Sequence, residues 1–141
     1  MTNTKVGPYL KYALFCHDTE ETSDGELSLN GVIDLFDITA PEESSEPGPQ
    51  ILAHMDVNLA FCIGGATAGS HHLMVAIKAP GIPLDTPPPQ TIEWDESTLF
   101  QRWIKAFRIP VQRAGLHVAA ILLDGEPLGE ASFLVRIKDE P

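Results

Sequence analysis

Residues 115–137 read GLHVAAILLDGEPLGEASFLVRI, two apolar runs on either side of Asp124-Gly125. Asp-Gly between such runs signals a two-residue type I′ hairpin turn, because both central residues of that turn take positive φ. The turn sets Leu123 opposite Glu126 and Leu122 opposite Pro127. Continued without interruption, it sets Ala120 opposite Gly129, Val118 opposite Ala131 and Leu116 opposite Phe133. One face then collects Leu116, Val118, Ala120, Leu122, Pro127, Gly129, Ala131, Phe133, Val135 and Ile137 with no polar side chain, and is the expected core face. The other face carries His117, Glu126, Glu130, Ser132 and Arg136 among aliphatics. Pro127 falls in a non-hydrogen-bonded pair, where no N–H is required.

The rest of the chain repeats this grammar of short strands and turns. Residues 54–63 alternate cleanly: Met55, Val57, Leu59, Phe61 and Ile63 face one way, His54, Asp56, Asn58, Ala60 and Cys62 the other. That pattern predicts a strand with one buried and one wet side. Residues 71–78 predict another, with Leu73, Val75 and Ile77 inward. One strand is expected at 9–17 and a second at 26–37, separated by an acidic turn from Asp18 to Gly25. The stretches 40–49 and 80–89, rich in Pro, are expected loops. Segment 97–109 is double-natured. Its Leu99, Phe100, Trp103, Ile104 and Phe107 have helical spacing, yet Trp103, Phe107 and Ile109 also alternate as a strand with Lys105 as the one violation. Strand-rich surroundings favour the strand. The expectation is one domain over residues 1–141, an all-β immunoglobulin-like sandwich of two antiparallel sheets with about seven or eight strands.

The chain has 141 residues, 20 acids, 9 Lys and Arg, and a formal charge of -11. Residues 1–70 hold 11 acids and 2 bases, and residues 71–141 hold 9 acids and 7 bases. Nucleic acid and anionic lipid need a positive footprint, so neither is an expected partner. Arg102, Lys105, Arg108 and Arg113 form a basic cluster that complements the acidic half, within or between chains. No apolar segment approaches the length of a membrane span, and residues 1–8 lack the apolar stretch of a signal peptide. The expected location is the cytoplasm. There the two cysteines, Cys16 and Cys62, are expected as buried free thiols.

No arrangement of residue types assembles a chemistry. His71 and His72 are neighbours, but on a strand they point to opposite faces and cannot share an ion. His17, His54 and His117 stand alone, so no metal site is expected. Asp18, Glu20, Glu21 and Asp24 lack the spacing of a calcium loop. Gly64 to Gly69 lacks the Lys of a phosphate loop, and no Gly-x-Ser-x-Gly occurs. Carboxylate pairs such as Asp34 with Asp37, or Asp95 with Glu96, are what an acidic chain produces by chance. Trp94, Trp103, Tyr9 and Tyr12 permit a sugar-stacking platform, but aromatics in a strand protein are usually core. No catalytic residue, metal or cofactor is therefore expected.

The segments Leu10-Lys11-Tyr12-Ala13-Leu14-Phe15-Cys16-His17-Asp18 and Gly25-Glu26-Leu27-Ser28-Leu29-Asn30-Gly31-Val32 resemble the N-terminal signature of a family of small bacterial proteins without assigned activity. The hairpin from Gly115 to Gly129 resembles the closing hairpin of that group. The resemblance implies a bacterial, cytoplasmic protein and a sandwich fold, and no mechanism.

The expected function is a non-enzymatic binding or assembly module, acting on a protein partner or on itself as a homodimer. The alternative is a small-ligand protein, for carbohydrate or a cation, or an enzyme with a site built from loops. The candidate interface is the hairpin's second face, Ile121, Leu123, Leu128 and Leu134, where four aliphatics stand at positions that solvent would fill with polar residues. Because neither thiols nor metal ligands support the fold in this reading, chelator and reductant should leave the thermal unfolding midpoint unchanged. A fall of more than about 8 °C with either would show a hidden dependence exceeding about 1 kcal/mol.

Overall fold

A computed structural model describes residues 7–39, 51–84 and 86–138. Among them are nine strands: β1 (Tyr9–Glu21), β2 (Leu27–Val32), β3 (Leu35–Thr39), β4 (Ala53–Gly64), β5 (Gly69–Lys78), β6 (Gln90–Trp94), β7 (Phe100–Val111), β8 (Gly115–Leu123) and β9 (Glu126–Lys138). The first sheet has the order β2-β1-β4-β7 and the second β3-β9-β8-β5-β6. The result is an all-β sandwich, as its strand grammar predicts. Strands β1, β4 and β7 stand as A, B and E do in an immunoglobulin domain, and β5, β8 and β9 as C, F and G. The topology is therefore immunoglobulin-like. Several expectations need correction. The strands number nine among the described residues rather than seven or eight, and the single strand expected at 26–37 is two, β2 and β3, in different sheets. The second sheet is mixed, because β3 pairs with β9 in parallel, Leu35 beside Leu134 through Thr39 beside Lys138. Between β2 and β3 the chain changes sheets. The N–H of buried Ile33 donates to the Phe15 carbonyl (2.8 Å), while the N–H of Leu134 donates to the Asp34 carbonyl (2.9 Å).

Segment 100–111 is a strand along its whole length, with Trp103 stacked on Phe61 (centroids 5.2 Å apart, planes at 21°). Tertiary pairing with β4 over twelve residues overrides the local helical spacing. Strand β6 was not among the expected elements. It has only five residues between a proline loop and a turn, yet Ile92 and Trp94 alternate into the core. The acidic stretch is mostly strand: β1 runs through Glu21, and the turn lies at Thr22–Glu26, where the Gly25 N–H donates to the Thr22 carbonyl (3.0 Å). The expected loop at 40–49 lies outside the described residues.

The hairpin β8–β9 carries the largest correction. Its turn is as expected, with φ of 53° at Asp124 and 81° at Gly125. Leu123 meets Glu126 and Leu122 meets Pro127, but the next pair is Ile121 with Gly129. Leu128 is an extra residue on β9, a β-bulge. Every later pair on β8 shifts by one, and a one-residue shift exchanges the faces of a strand. The core side of β8 is thus His117, Ala119, Ile121 and Leu123, all fully buried or nearly so, while Leu116 is 52% exposed. Strand β9 keeps its expected facing, with Ala131, Phe133 and Val135 buried. Gly129 suits the bulge through space: a Cβ there would lie 2.8 Å from Leu10 Cδ2.

Between the sheets, Phe133 meets Phe15 edge to face (5.0 Å) and stacks on His117 (5.1 Å). Met55, Val57, Leu59, Phe61 and Ile63 of β4 are all buried, as their alternation predicts, but the other side is wet only at His54, Asp56 and, in part, Asn58: Ala60 and Cys62, expected there, are buried as well. A direct test of the bulge compares two alanine variants in dilute solution. Ile121→Ala should cost about 2–5 kcal/mol of unfolding free energy. Leu116→Ala should cost no more than about 0.5 kcal/mol. The uninterrupted hairpin requires the reverse order, and urea denaturation distinguishes the two.

Candidate functional site

The bulge leaves the outer face of the second sheet apolar along its middle. Outward on β8 are Leu116, Val118, Ala120 and Leu122. Cross-strand neighbours extend the patch. Leu35, Leu134 and Leu116 form one register row across β3, β9 and β8, and are 46%, 40% and 52% exposed. Met74 lies beside Leu122, and Ala76 beside Ala120. At the β3 edge the row ends in polar groups. Arg136 grips Asp37 with two hydrogen bonds (2.7 and 3.0 Å), and Lys138 stands 3.2 Å from the same carboxylate. The Arg136 guanidinium, helped by Lys138, holds the Asp37 carboxyl down to about 2. Half-exposed leucines in register on three strands are unusual on a solvent face, which normally alternates toward polar residues.

The expected interface residues separate. Ile121 and Leu123 are 0% and 1% exposed and belong to the core, so they form no outer surface. Leu128 is half-buried at the bulge and packs against that core. Of the four, Leu134 alone stands on the outer face. The core set expected on β8, Leu116, Val118, Ala120 and Leu122, is the outer set. The signal that reveals this in the sequence is Gly129, two residues after Pro127, since an isolated Gly inside a strand marks a bulge or a close backbone approach. His117, the one ionisable side chain on β8, gives no warning, because it sits in the core.

The other singled-out residues find structural roles. Trp94 is 3% exposed and its Nε1–H donates to the Thr98 carbonyl (3.0 Å), so it is no sugar platform. Cys62 lies opposite Tyr12 and Cys16 opposite Asn58 on paired strands. Four residues along a strand separate them by about 13 Å, beyond the roughly 7 Å reach of a disulfide. Burial pushes both thiols above their ordinary value, which leaves them protonated and poorly nucleophilic. Among the described residues no three His, Cys, Asp or Glu side chains gather as a metal site. Among the described residues no helix is long and apolar enough to cross a membrane.

A second concavity lies on the first sheet. Arg102 of β7 donates to Glu21 Oε1 (2.7 Å) and to the Gly25 carbonyl (2.8 Å), so the β1–β2 hairpin tip arches over the outer face. Of the basic cluster, Arg102 alone pairs with the acidic segment among the described residues, while Lys105 donates to the neutral Gln90 Oε1 (2.8 Å). Beneath the arch is an open cleft of about 710 Å³, lined by Lys11, Tyr12, Leu14, Leu29, Cys62 and Phe100 among others. Lys11 Nζ lies 4.2 Å from the centre of the Phe100 ring. Burial raises the Tyr12 hydroxyl above its ordinary value against the pull of Arg102.

Two histidines give the fold opposite responses to pH. His71 and His72 do point to opposite faces, one buried and one exposed. His71 has a carboxylate at one ring nitrogen, Asp124 Oδ2, and the Thr67 carbonyl at the other (2.6 Å). Two acceptors favour the doubly protonated ring, so its pKa is raised, and His71 in turn lowers that of Asp124. Asp124 also accepts from the His72 N–H (2.8 Å), which ties the hairpin turn to β5. His117 is fully buried. Its Nδ1–H donates to the Gly115 carbonyl (3.0 Å), and among the described residues Nε2 has no partner. Burial lowers its pKa and keeps it neutral. A raised folded pKa gives stability that is complete below the unfolded value and lost as pH rises through the folded one. A histidine with a lowered folded pKa loses stability as pH falls below its unfolded value. The unfolded value for both is about 6.5. Over pH 5–8.5 the melting temperature should therefore peak near neutrality. His71→Leu should flatten the alkaline side and His117→Leu the acid side, by differential scanning calorimetry.

No protein-family model matches the chain, and a comparison with curated proteins finds no match. Among solved structures, the alkylpurine DNA glycosylase AlkC of Pseudomonas fluorescens, solved bound to DNA containing an abasic site analogue, is similar over 71% of this chain. This chain covers 27% of that one, at 18% identity and a TM-score of 0.44. An immunoglobulin-like protein of Pseudomonas aeruginosa is similar over 95% of this chain and 100% of its own, at 10% identity and a TM-score of 0.41. The strand order, rather than either likeness, defines this protein as an immunoglobulin-like β-sandwich.

Proposed function

We propose that this protein is a non-enzymatic assembly module of the bacterial cytoplasm whose working surface is the outer face of the second sheet. The observation that carries the proposal is the register row Leu35, Leu134 and Leu116, with Val118, Ala120 and Leu122 continuing it along β8. Burying a leucine fully is worth roughly 1.5–3 kcal/mol before association costs are subtracted. Half-exposed leucines in one register row gain part of that when a partner covers them. The groups that chemistry would need are otherwise engaged: both thiols are held protonated by burial, and His71 is bound between Asp124 and Thr67. The partner is a second copy of the chain, the commonest arrangement for such a surface. Sedimentation at micromolar concentration should give twice the chain mass of 15.3 kDa. A protein that sediments as one chain there lacks the proposed self-association.

A second reading keeps a small ligand in the cleft beneath the β1–β2 arch, favoured by Lys11 and Arg102 standing beside aromatic and aliphatic walls. Such a lining suits an apolar molecule with an anionic group. Anilinonaphthalene sulfonate has both features. Under this reading the dye should brighten on binding and lose most of that signal in Lys11→Glu. Unchanged fluorescence with the unmodified protein removes the reading.

A further inference from the structure

We infer that two copies of this chain stack through their second sheets about a twofold axis running along β8, so that Glu130 of each copy faces Lys78 of the other. The inference rests on the assembly reading above and supplies its geometry and specificity.

The outward row of β8 contains no charge. Charges begin on the two neighbouring strands, and they have opposite signs. Lys78 of β5 lies beside Val118, and Glu130 of β9 lies beside Ala120. Both are exposed, and among the described residues neither has an ion-pair partner. The charges at the β3 edge differ, since Asp37 is already paired with Arg136 and Lys138. Within one copy, Lys78 and Glu130 are two strands and one row apart. That is about 10 Å across the sheet and about 7 Å along it, too far for direct pairing.

A twofold interface brings a surface against itself, so each flank must complement a flank of the same surface. An axis along β8 exchanges left and right. It lays β9 of one copy over β5 of the other, and β8 over β8. Glu130 then stands within one row of Lys78 in the second copy, and the contact occurs twice. Stacked sheets lie about 10 Å apart, a gap that a lysine and a glutamate side chain can bridge together. An axis across the strands would instead lay β5 over β5 and β9 over β9, facing charges of like sign toward one another. Opposite charges on either side of one apolar row therefore select the first axis. The aliphatics supply the contact, and the two ion pairs fix its register.

Charge reversal tests this in the full chain, by sedimentation velocity across a concentration series, with circular dichroism as the check on folding. The unmodified protein should dimerise. Lys78→Glu and Glu130→Lys should each raise the dimer dissociation constant by at least about tenfold, since each puts like charges together. The double variant, Lys78→Glu with Glu130→Lys, should recover most of the loss, because the pair is restored with its signs exchanged. Leu116→Glu should give a folded monomer. If the protein dimerises but the single reversals leave its dissociation constant unchanged, or the double variant is weaker than both singles, the axis is wrong and the assembly reading survives. If the unmodified protein is monomeric at micromolar concentration, both fail.

Discussion

One inserted residue, Leu128, decides which side of β8 faces the core. Without the bulge, the Asp124-Gly125 turn would carry Leu116, Val118, Ala120 and Leu122 inward. With it, Ile121 and Leu123 fill the space between the sheets, and His117 stacks on Phe133. The bulge is possible because β8 is apolar on both sides, so neither facing exposes a charge to the core. It is held where it is by Gly129, whose missing side chain leaves room for Leu10 of the opposite sheet. The outer surface follows from the same event. A strand that could have been core on either side leaves its second apolar row in solvent.

The architecture was legible wherever a strand had one polar side. The alternation in β4 placed Met55, Val57, Leu59, Phe61 and Ile63 in the core, though Ala60 and Cys62 of its other side are buried as well, and Leu73, Val75 and Ile77 of β5 were placed too. Segment 100–111 was resolved by its surroundings rather than by its own spacing, since pairing with β4 decides it. Strand β6 is too short to declare itself. The parallel pairing of β3 with β9 is a contact between residues about a hundred positions apart, and no local pattern encodes it.

The candidate surface was legible only in kind. An aliphatic face in excess of the core's needs was evident on the hairpin, but the two β8 residues assigned to it, Ile121 and Leu123, are on the core side. Periodicity gives a strand's two faces without saying which is inside. Register from the turn supplies that choice, and a single extra residue reverses it. Polar residues anchored β9 correctly, because Glu130, Ser132 and Arg136 belong outside in either register. Strand β8 had no such anchor. Its one histidine is buried with an unpartnered Nε2 and a lowered pKa, a cost that the pattern of a half-buried strand does not anticipate.

The facing of β8 can be read directly from proton–proton contacts in solution. In the bulged hairpin the His117 and Phe133 rings are stacked with centroids 5.1 Å apart, while Leu116 points away on the outer face. A nuclear Overhauser spectrum should therefore connect the ring protons of His117 with those of Phe133 and leave the Leu116 methyl groups without a contact to that ring. Strong Leu116 contacts to Phe133, with none from His117, would mean an uninterrupted hairpin, and would contradict both the core and the surface described for this protein.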